Sequence, residues 1–431
     1  MFSETIRRYG FWTFDALSGG HVRKYLQNIK KKLGTEEDVF SDELRNILDH
    51  AVNTTGFYKG YKGYSNIKDF PVIKKSLIKE KYDQFISSEY KNKSLYKMQT
   101  SGTTGERFVM LLDKKKRKRV IAELIYFFER CGFKLGYKHV YARVLSADNK
   151  KIKLELIAQN KVWFDCSFLS DASMETLYEM LHKDKSIKCL IGYANFLTAI
   201  AAYFDKKNYT PDMFNIEMVV SGAERLEPEA KDLLKKIFGC TVVSRYGNIE
   251  NGILAQQTND GDNFFLNTAH YFFETLKLDS DEPAPFGELA RLVVTDLYNY
   301  AMPLIRYDTD DIVVAMPVNK GSAKMLLTEL SGRKEDIIYD TRGNMINPCA
   351  IALGFRRYDL LPRFQFIQES PKGFTLKLEG ARGLYEDKNM RKTVEGLVGQ
   401  DAVIKIEHLD KIPHLSSGKF RKIICKYKKQ L

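Results

Sequence analysis

The sequence predicts an α/β protein, with a large domain of mostly parallel sheets plus helices over 1–331 and a small α+β domain over 332–431. Three observations carry this. The chain has 431 residues, more than one hydrophobic core usually organises. From about residue 185, short apolar strands alternate with helical stretches. After Gly332 the texture turns β-rich and mixed.

Taken in order, residues 21–53 read as helical, with Tyr25, Ile29 and Leu33 four apart and Leu44, Ile47 and Leu48 on a second stripe. Residues 54–75 are rich in Gly, Tyr and Lys and read as loop, and a short strand precedes Thr100. Ile187–Ile191 is a strand ending at Gly192, followed by a helix over Asn195–Phe204. Ile216–Val220 is a strand ending at Ser221-Gly222, and Pro228 stands in the first turn of a helix running to Phe238. Thr241–Ser244 is a third strand, ending at Tyr246-Gly247. Strands at Leu289–Thr295 and Ile312–Ala315 follow, then a hairpin around Phe364–Leu378, a helix near Glu386–Val398 and a strand at Ala402–Glu407. Sheets of this kind bind ligands beyond the C-terminal ends of their strands. The polar loops at Ser221 and Tyr246 fall at such ends.

Composition narrows the class. Lys and Arg number 68 against 55 Asp and Glu, and 68 − 55 gives a net charge of +13. Such a balance suits polyanionic partners, nucleotides among them. Six cysteines lie far apart with no CxxC pair, so neither a disulfide framework nor a zinc ribbon is expected. The opening residues MFSETIRRYGFW carry no apolar signal core, and the apolar run Cys189–Phe204 is too short for a membrane span. A soluble, cytoplasmic protein with no integral membrane segment is expected. No G-x-S-x-G and no HExxH is present, which argues against an α/β-hydrolase and a zinc protease. The six cations Lys114–Arg119 read as a solvated helix start, and His270 as a packed or acyl-pocket histidine.

The densest chemical signal is TSGTTGERF, Thr100–Phe108. Glycines let backbone N–H groups converge on phosphate oxygens, and hydroxyls add donors. No Lys-Ser or Lys-Thr pair follows, so it is not a Walker A loop. Further along stand SGAERL (Ser221–Leu226), SRYGNIE (Ser244–Glu250), PLIRYDTDDI (Pro303–Ile312), GRKEDIIYDTRGNMINP (Gly332–Pro348) and IPHLSSGKFRKI (Ile412–Ile423). An aromatic face offers stacking to a base, and a carboxylate is a hard oxygen ligand suited to Mg²⁺.

These segments, in this order, resemble the adenylate-forming superfamily of acyl-coenzyme A ligases, luciferases and peptide-synthetase adenylation domains. The match is nearest to the phenylacetate–coenzyme A ligase branch and, within it, to CapK-like capsule-biosynthesis proteins. It spans nearly the whole chain, including LRNILDHAVNTTGFY and FPVIKKSLI. The resemblance implies an ATP- and Mg²⁺-dependent, AMP-forming carboxylic acid ligase with a small, mobile C-terminal domain. It makes Thr100, Ser101, Gly102, Thr103, Thr104 and Gly105 the phosphate loop. It lines the adenine pocket with Ser221, Gly222, Ala223 and Glu224, and adds Tyr246 as the stacking ring beside Gly247. Glu250 becomes a magnesium ligand and catalytic residue, with Thr104 as a second ligand, and Asp311 the ribose partner. Arg333 contacts the nucleotide, Glu335 is the hinge, and Lys419 is the catalytic lysine.

The chain departs from the family pattern at Glu106-Arg107, where many relatives have Lys-Pro, and at Asp310, where glycine usually precedes the ribose-binding aspartate. The cysteines of the zinc site that some relatives carry are absent, so no zinc is expected. The partners implied are a small carboxylic acid and an acceptor, by family default the coenzyme A thiol. An amine or hydroxyl of an amino sugar, amino acid or glycan precursor is the alternative. A homodimer is allowed, and nucleic acid is not implied. Residues of 139–146, 192–198 and 267–274 are expected among those that form the acyl pocket; Tyr193, Phe196 and Tyr271 hint at an apolar or aromatic acid, and core packing explains these rings equally well. The competing reading, from another class, is a basic polyanion-binding protein with a vestigial nucleotide loop. Salt-dependent retention on nucleic acid without ATP turnover would mark it.

Overall fold

The computed structural model describes residues 2–34, 41–99, 108–143, 153–166, 170–222, 226–259, 261–319, 324–333, 338–346, 351, 354–355, 358, 363–380, 383, 386–413 and 421–427. Two compact units result. The first comprises Met1–Glu274, Val293–Asp308 and Ala315–Thr328; the second comprises Thr275–Leu292, Thr309–Val314 and Glu329–Leu431.

The first unit begins with helices α1 (Phe2–Leu17), α2 (His21–Gly34) and α3 (Ser41–Thr54). The apolar stripes over 21–53 thus belong to two helices rather than one, and a further helix, α1, precedes them. Asp15 of α1 explains the break before α2, because its carboxylate accepts the free N–H groups of Val22 and Arg23, each at 3.0 Å. Short helices α4 (Lys75–Glu80) and α5 (Tyr82–Phe85) precede an antiparallel pair, β1 (Tyr96–Gln99) and β2 (Val109–Leu112), with Tyr96 opposite Leu112.

Helix α6 (Lys114–Glu129) starts on Asp113, whose carboxylate caps the N–H groups of Lys115 and Lys116. Its cationic start is not simply solvated. Lys116 is fully buried, 2.8 Å from the Asp296 carboxylate and 3.9 Å from Glu123. A buried ammonium requires such partners. His270 is also fully buried, with Nδ1 on Glu123 and Nε2 3.3 Å from Arg119. It is a packed histidine.

Strand and helix then alternate: β3 (Lys138–Arg143), α7 (Lys153–Ala158), β4 (Lys161–Asp165), α8 (Asp171–Lys183), β5 (Ile187–Tyr193), α9 (Ala194–Lys206), β6 (Met218–Gly222), α10 (Pro228–Phe238) and β7 (Thr241–Asn248). The order across the sheet is β4-β3-β5-β6-β7, all parallel. Helices return each strand to the starting edge, as parallel pairing demands. Alternation along the strands feeds two cores. Val140, Leu190, Val219 and Val242 face the helices with Phe196, Leu197, Ile200 and Phe204 of α9 and Leu234 and Ile237 of α10. Cys189, Ile191, Val220 and Val243 face the other way, onto Cys131, Phe133 and Phe128. Burying a ring such as Phe204 stabilises the unit by about 2 kcal/mol. Helix α10 stops at Gly239, whose φ of +61° suits a residue without Cβ.

Beyond β7 the sheet turns antiparallel through β8 (Gly252–Gln257) and β9 (Phe264–Leu266). Strands β10 (Tyr271–Leu276), β11 (Leu289–Asp296), β12 (Tyr307–Pro317) and β13 (Met325–Arg333) follow, and Leu326 of β13 pairs with Phe265 of β9.

The second unit holds β14 (Ile338–Tyr339) paired with β15 (Met345–Ile346), then a four-stranded sheet. There β16 (Arg363–Gln368) and β17 (Gly373–Glu379) form the expected hairpin. Strand β18 (Val403–Leu409) lies parallel to β17, and β19 (Ile423–Cys425) parallel to β16. The helix Asp387–Val398 lays Met390, Val394 and Val398 on Phe366, Phe374 and Leu376. The architecture is α/β with large sheets and an α+β C-terminal portion. Among the described residues, no helix is long and apolar enough to cross a membrane.

Candidate nucleotide site

The segment SRYGNIE is built around one close backbone approach. Strand β7 bulges between Tyr246 and Gly247 before turning into β8. A Cβ on Gly247 would lie 2.2 Å from the carbonyl oxygen of Gly252, so only glycine lets the two strands meet. This packing leaves Tyr246 buried at 7% exposure on the sheet and carries Glu250 into the turn after it.

Glu250 is 5% exposed, and its environment explains how a carboxylate survives there. Lys75 Nζ lies 2.7 Å from Oε1, and the Tyr307 hydroxyl donates to the same oxygen at 3.4 Å. Lys75 opens α4 within FPVIKKSLI, and Tyr307 belongs to PLIRYDTDDI. The two segments are stitched by their backbones. Ile73 N–H donates to the Arg306 carbonyl at 3.0 Å, and Asp308 N–H donates to the Ile73 carbonyl at 2.9 Å.

Arg306 holds that junction in place. Its φ is +50°, its backbone N–H donates to Thr295 Oγ1, and its guanidinium grips both Glu274 oxygens at 3.1 and 3.0 Å. A further N–H donates to the Phe70 carbonyl at 2.9 Å. Charge pairing and carbonyl contacts together support an arginine that is 4% exposed.

One strand from β7, Ser221 and Gly222 end β6, with Ser221 opposite Ser244. Ser221 is fully buried. Thus Ser221, Gly222, Tyr246, Gly247 and Glu250 share the C-terminal end of the parallel sheet. Lys75, Tyr307 and Arg306 join them unforeseen. The quoted segments contained all three, but nothing in the spacing pointed Lys75 at Glu250, 175 residues away.

In the second unit, Asp311 lies on β12 and its N–H donates to Thr309 Oγ1 at 3.2 Å, while that hydroxyl donates to the Leu292 carbonyl at 2.9 Å. Asp310 adopts φ +60°, the left-handed conformation that glycine favours. The substitution therefore keeps the backbone shape that glycine gives at this point. Arg333 ends β13. The segment Thr100–Gly105, expected as the phosphate loop, and Ala223, Glu224, Glu335 and Lys419 lie outside the described residues.

Magnesium fits what is present. Mg²⁺ is commonly held by one or two carboxylates together with substrate phosphates, and Glu250 is one buried carboxylate at the strand ends.

Residues 338–426 match the CapK C-terminal domain. Protein CapK of Staphylococcus aureus is 25% identical over 370 residues, covering 83% of this chain and 80% of that protein. A phenylacetate-coenzyme A ligase of Thermus thermophilus is 24% identical over 337 residues, covering 75% and 73%. Among solved structures, 2-hydroxyisobutyryl-CoA ligase with 2-HIB-AMP superposes with a TM-score of 0.70 at 16% identity, covering 89% of this chain and 88% of that one. ATP-bound MatB from Rhodopseudomonas palustris gives 0.55 at 16% identity, covering 76% and 66%. Over most of its length the chain is similar to Protein CapK and to a phenylacetate-coenzyme A ligase, and it shares the fold of 2-hydroxyisobutyryl-CoA ligase.

Proposed function

We propose that the protein activates a small carboxylic acid with ATP and passes the acyl group to coenzyme A. One observation carries the reading. A buried carboxylate, Glu250, stands four residues beyond a buried tyrosine at the C-terminal edge of a parallel sheet. Tyr246 stacks on the base, Ser221 and Gly222 line its edge with backbone, and Glu250 meets the metal-bound phosphates. Mg²⁺, when bound, supplies charge neutralisation at the phosphate oxygens.

In the first step a substrate carboxylate oxygen attacks the α-phosphorus, and the bond to the pyrophosphate oxygen breaks. Lys419 and the loop Thr100–Gly105 balance the charge that develops. Asp311 holds the ribose hydroxyls and Arg333 the nucleotide. In the second step the acceptor sulfur attacks the acyl carbon, AMP departs with the bonding pair, and the thiol proton goes to solvent. The C-terminal domain, from residue 332, turns about Glu335 between the steps.

The experiment is acid-dependent exchange of pyrophosphate into ATP. Wild type exchanges with at least one acid of a broad panel, and Lys419→Ala loses on the order of 100-fold or more. A purified wild-type enzyme that exchanges with no acid refutes the reading. The alternative acceptor is an amine or hydroxyl of an amino sugar, amino acid or glycan precursor. Consumption of free thiol during turnover separates the two, because only thioester formation removes it.

A further inference from the structure

Four parallel strands end in a row on the sheet face that carries Ile191, Val220 and Val243. Tyr193 of β5 is opposite Gly222 of β6. Tyr141 of β3 is opposite Ile191, so Arg143, two residues on, stands at one end of the row. Ser221 is opposite Ser244, so Arg245 of β7 stands at the other. Between them no described atom lies within 4 Å of where a Cβ on Gly222 would sit. The row therefore has a cation at each end and, among the described residues, no atom over the glycine, at the strand ends where such sheets take ligands.

Both cations are incompletely satisfied. Arg245 Nε donates to Gln256 Oε1 at 2.8 Å, and its guanidinium carbon lies 4.1 Å from the centre of the Phe128 ring. Its Nη2 is buried with no hydrogen-bond partner. The titratable groups acting on it are Cys131, Cys189 and Tyr141, none of them a carboxylate, and burial brings its pKa down to about 10. Arg143 Nε is likewise buried without a partner, its guanidinium 5.6 Å from the Trp163 ring. Its cross-strand neighbour Asp165 is exposed. Buried guanidinium N–H groups are costly to leave unmade, and elsewhere this chain satisfies them fully, as at Arg306.

We infer that the acid this protein activates carries a second negative charge, held over Gly222 by Arg245 with Arg143 on the far side. The inference rests on the acid-ligase reading above and deepens it. One carboxylate of the substrate is adenylated, and the distal anion takes the free Nη2 donor. Three strand spacings separate the two arginine backbones by about 14 Å. Two side chains each reaching roughly 6 Å inward span most of that distance, so the gap between them takes the distal anion alone and does not set the length of the acid.

The test is pyrophosphate exchange with matched pairs of acids, glutarate against valerate and adipate against hexanoate. Wild type is expected to favour the dianion in kcat/KM by at least about 10-fold. Arg245→Gln is expected to lose on the order of 100-fold for the dianion, chiefly through KM, with valerate and ATP unchanged within about 2-fold. Arg143→Gln gives a smaller loss of the same kind, and Arg245→Lys restores part of the affinity. A wild type that prefers the monocarboxylates overturns the inference and leaves the acid-ligase reading standing. Equal loss for both acids in Arg245→Gln overturns it too, since that marks a merely structural arginine. A glutarate-induced rise in unfolding temperature, absent from Arg245→Gln, supports the anion site independently of turnover. If that rise occurs while no acid supports exchange, the anion site stands and the acid-ligase reading fails; if neither occurs, both fall.

Discussion

Lys75 places its ammonium 2.7 Å from the carboxylate of Glu250, the residue proposed to face the metal-bound phosphates. Without nucleotide this pair neutralises a carboxylate that is 5% exposed. A metal ion at Glu250 and the ammonium of Lys75 would compete for the same charge.

That competition predicts the behaviour of Lys75→Ala. Removing one partner leaves Glu250 buried and unpaired, so the ligand-free variant should lose about 1–3 kcal/mol of stability. Mg·ATP should then raise the unfolding temperature of the variant more than that of wild type, because the metal supplies the missing positive charge. Thermal unfolding with and without Mg·ATP measures both. An equal ligand-induced rise in the two proteins would count against Glu250 as a ligand.

Gly247 and Gly222 should respond oppositely to alanine. At Gly247 the new Cβ meets the Gly252 carbonyl oxygen at 2.2 Å, backbone against backbone, so Gly247→Ala should cost more than about 3 kcal/mol. At Gly222 no described atom stands in the way, and Gly222→Ala should stay within about 1 kcal/mol. Urea unfolding midpoints compare them directly. A mild Gly247→Ala variant would show that the β7–β8 approach can relax.

Much of this was legible in the sequence, for reasons that differ between elements. Helix α10 is bounded as expected, because Pro228 and Gly239 mark its two ends chemically. The hairpin of β16 and β17 and the parallel strands β5 to β7 are legible from short apolar runs between turn residues. Helix α1 was not, since it leaves Ile6, Tyr9, Phe14 and Leu17 exposed and so breaks the link between apolar spacing and burial. Lys116 looked like one of six solvated cations, and only the distant Asp296 gives it a buried partner. The residues of Ser221, Tyr246 and Glu250 could be named from local motifs. Lys75, Arg306 and Arg245 could not, because their roles depend on strand register and long-range pairing.

Asp310 offers a check on backbone shape in the second unit. At φ +60° an alanine pays roughly 1 kcal/mol that glycine avoids and aspartate partly tolerates. Asp310→Ala should therefore be about 1 kcal/mol less stable than Asp310→Gly by urea unfolding, a comparison in which both variants lose the side chain. If alanine is tolerated as well as glycine, the left-handed conformation is not what this position requires.

The His270–Glu123 pair makes the sharpest pH prediction. Burial pushes the Glu123 carboxyl up to about 7, against the pull of Lys116, and burial with Arg119 and Lys116 nearby holds His270 well below its usual range. A raised carboxyl contributes stability that is present below pH 4.5 and is lost as pH rises through about 7. A depressed histidine contributes stability that is present above pH 6.5 and is lost as pH falls below it. Between about pH 5 and 6.5 the folded protein gains a proton at Glu123 and gives one up at His270, so the two slopes largely cancel in wild type. Glu123→Gln removes the first slope and should lose stability as pH falls from 7 to 5. His270→Gln removes the second and should lose stability as pH rises from 5 to 7, by up to roughly 3 kcal/mol. Urea midpoints across that range read the sign directly, and slopes of the same sign in the two variants would contradict the pairing.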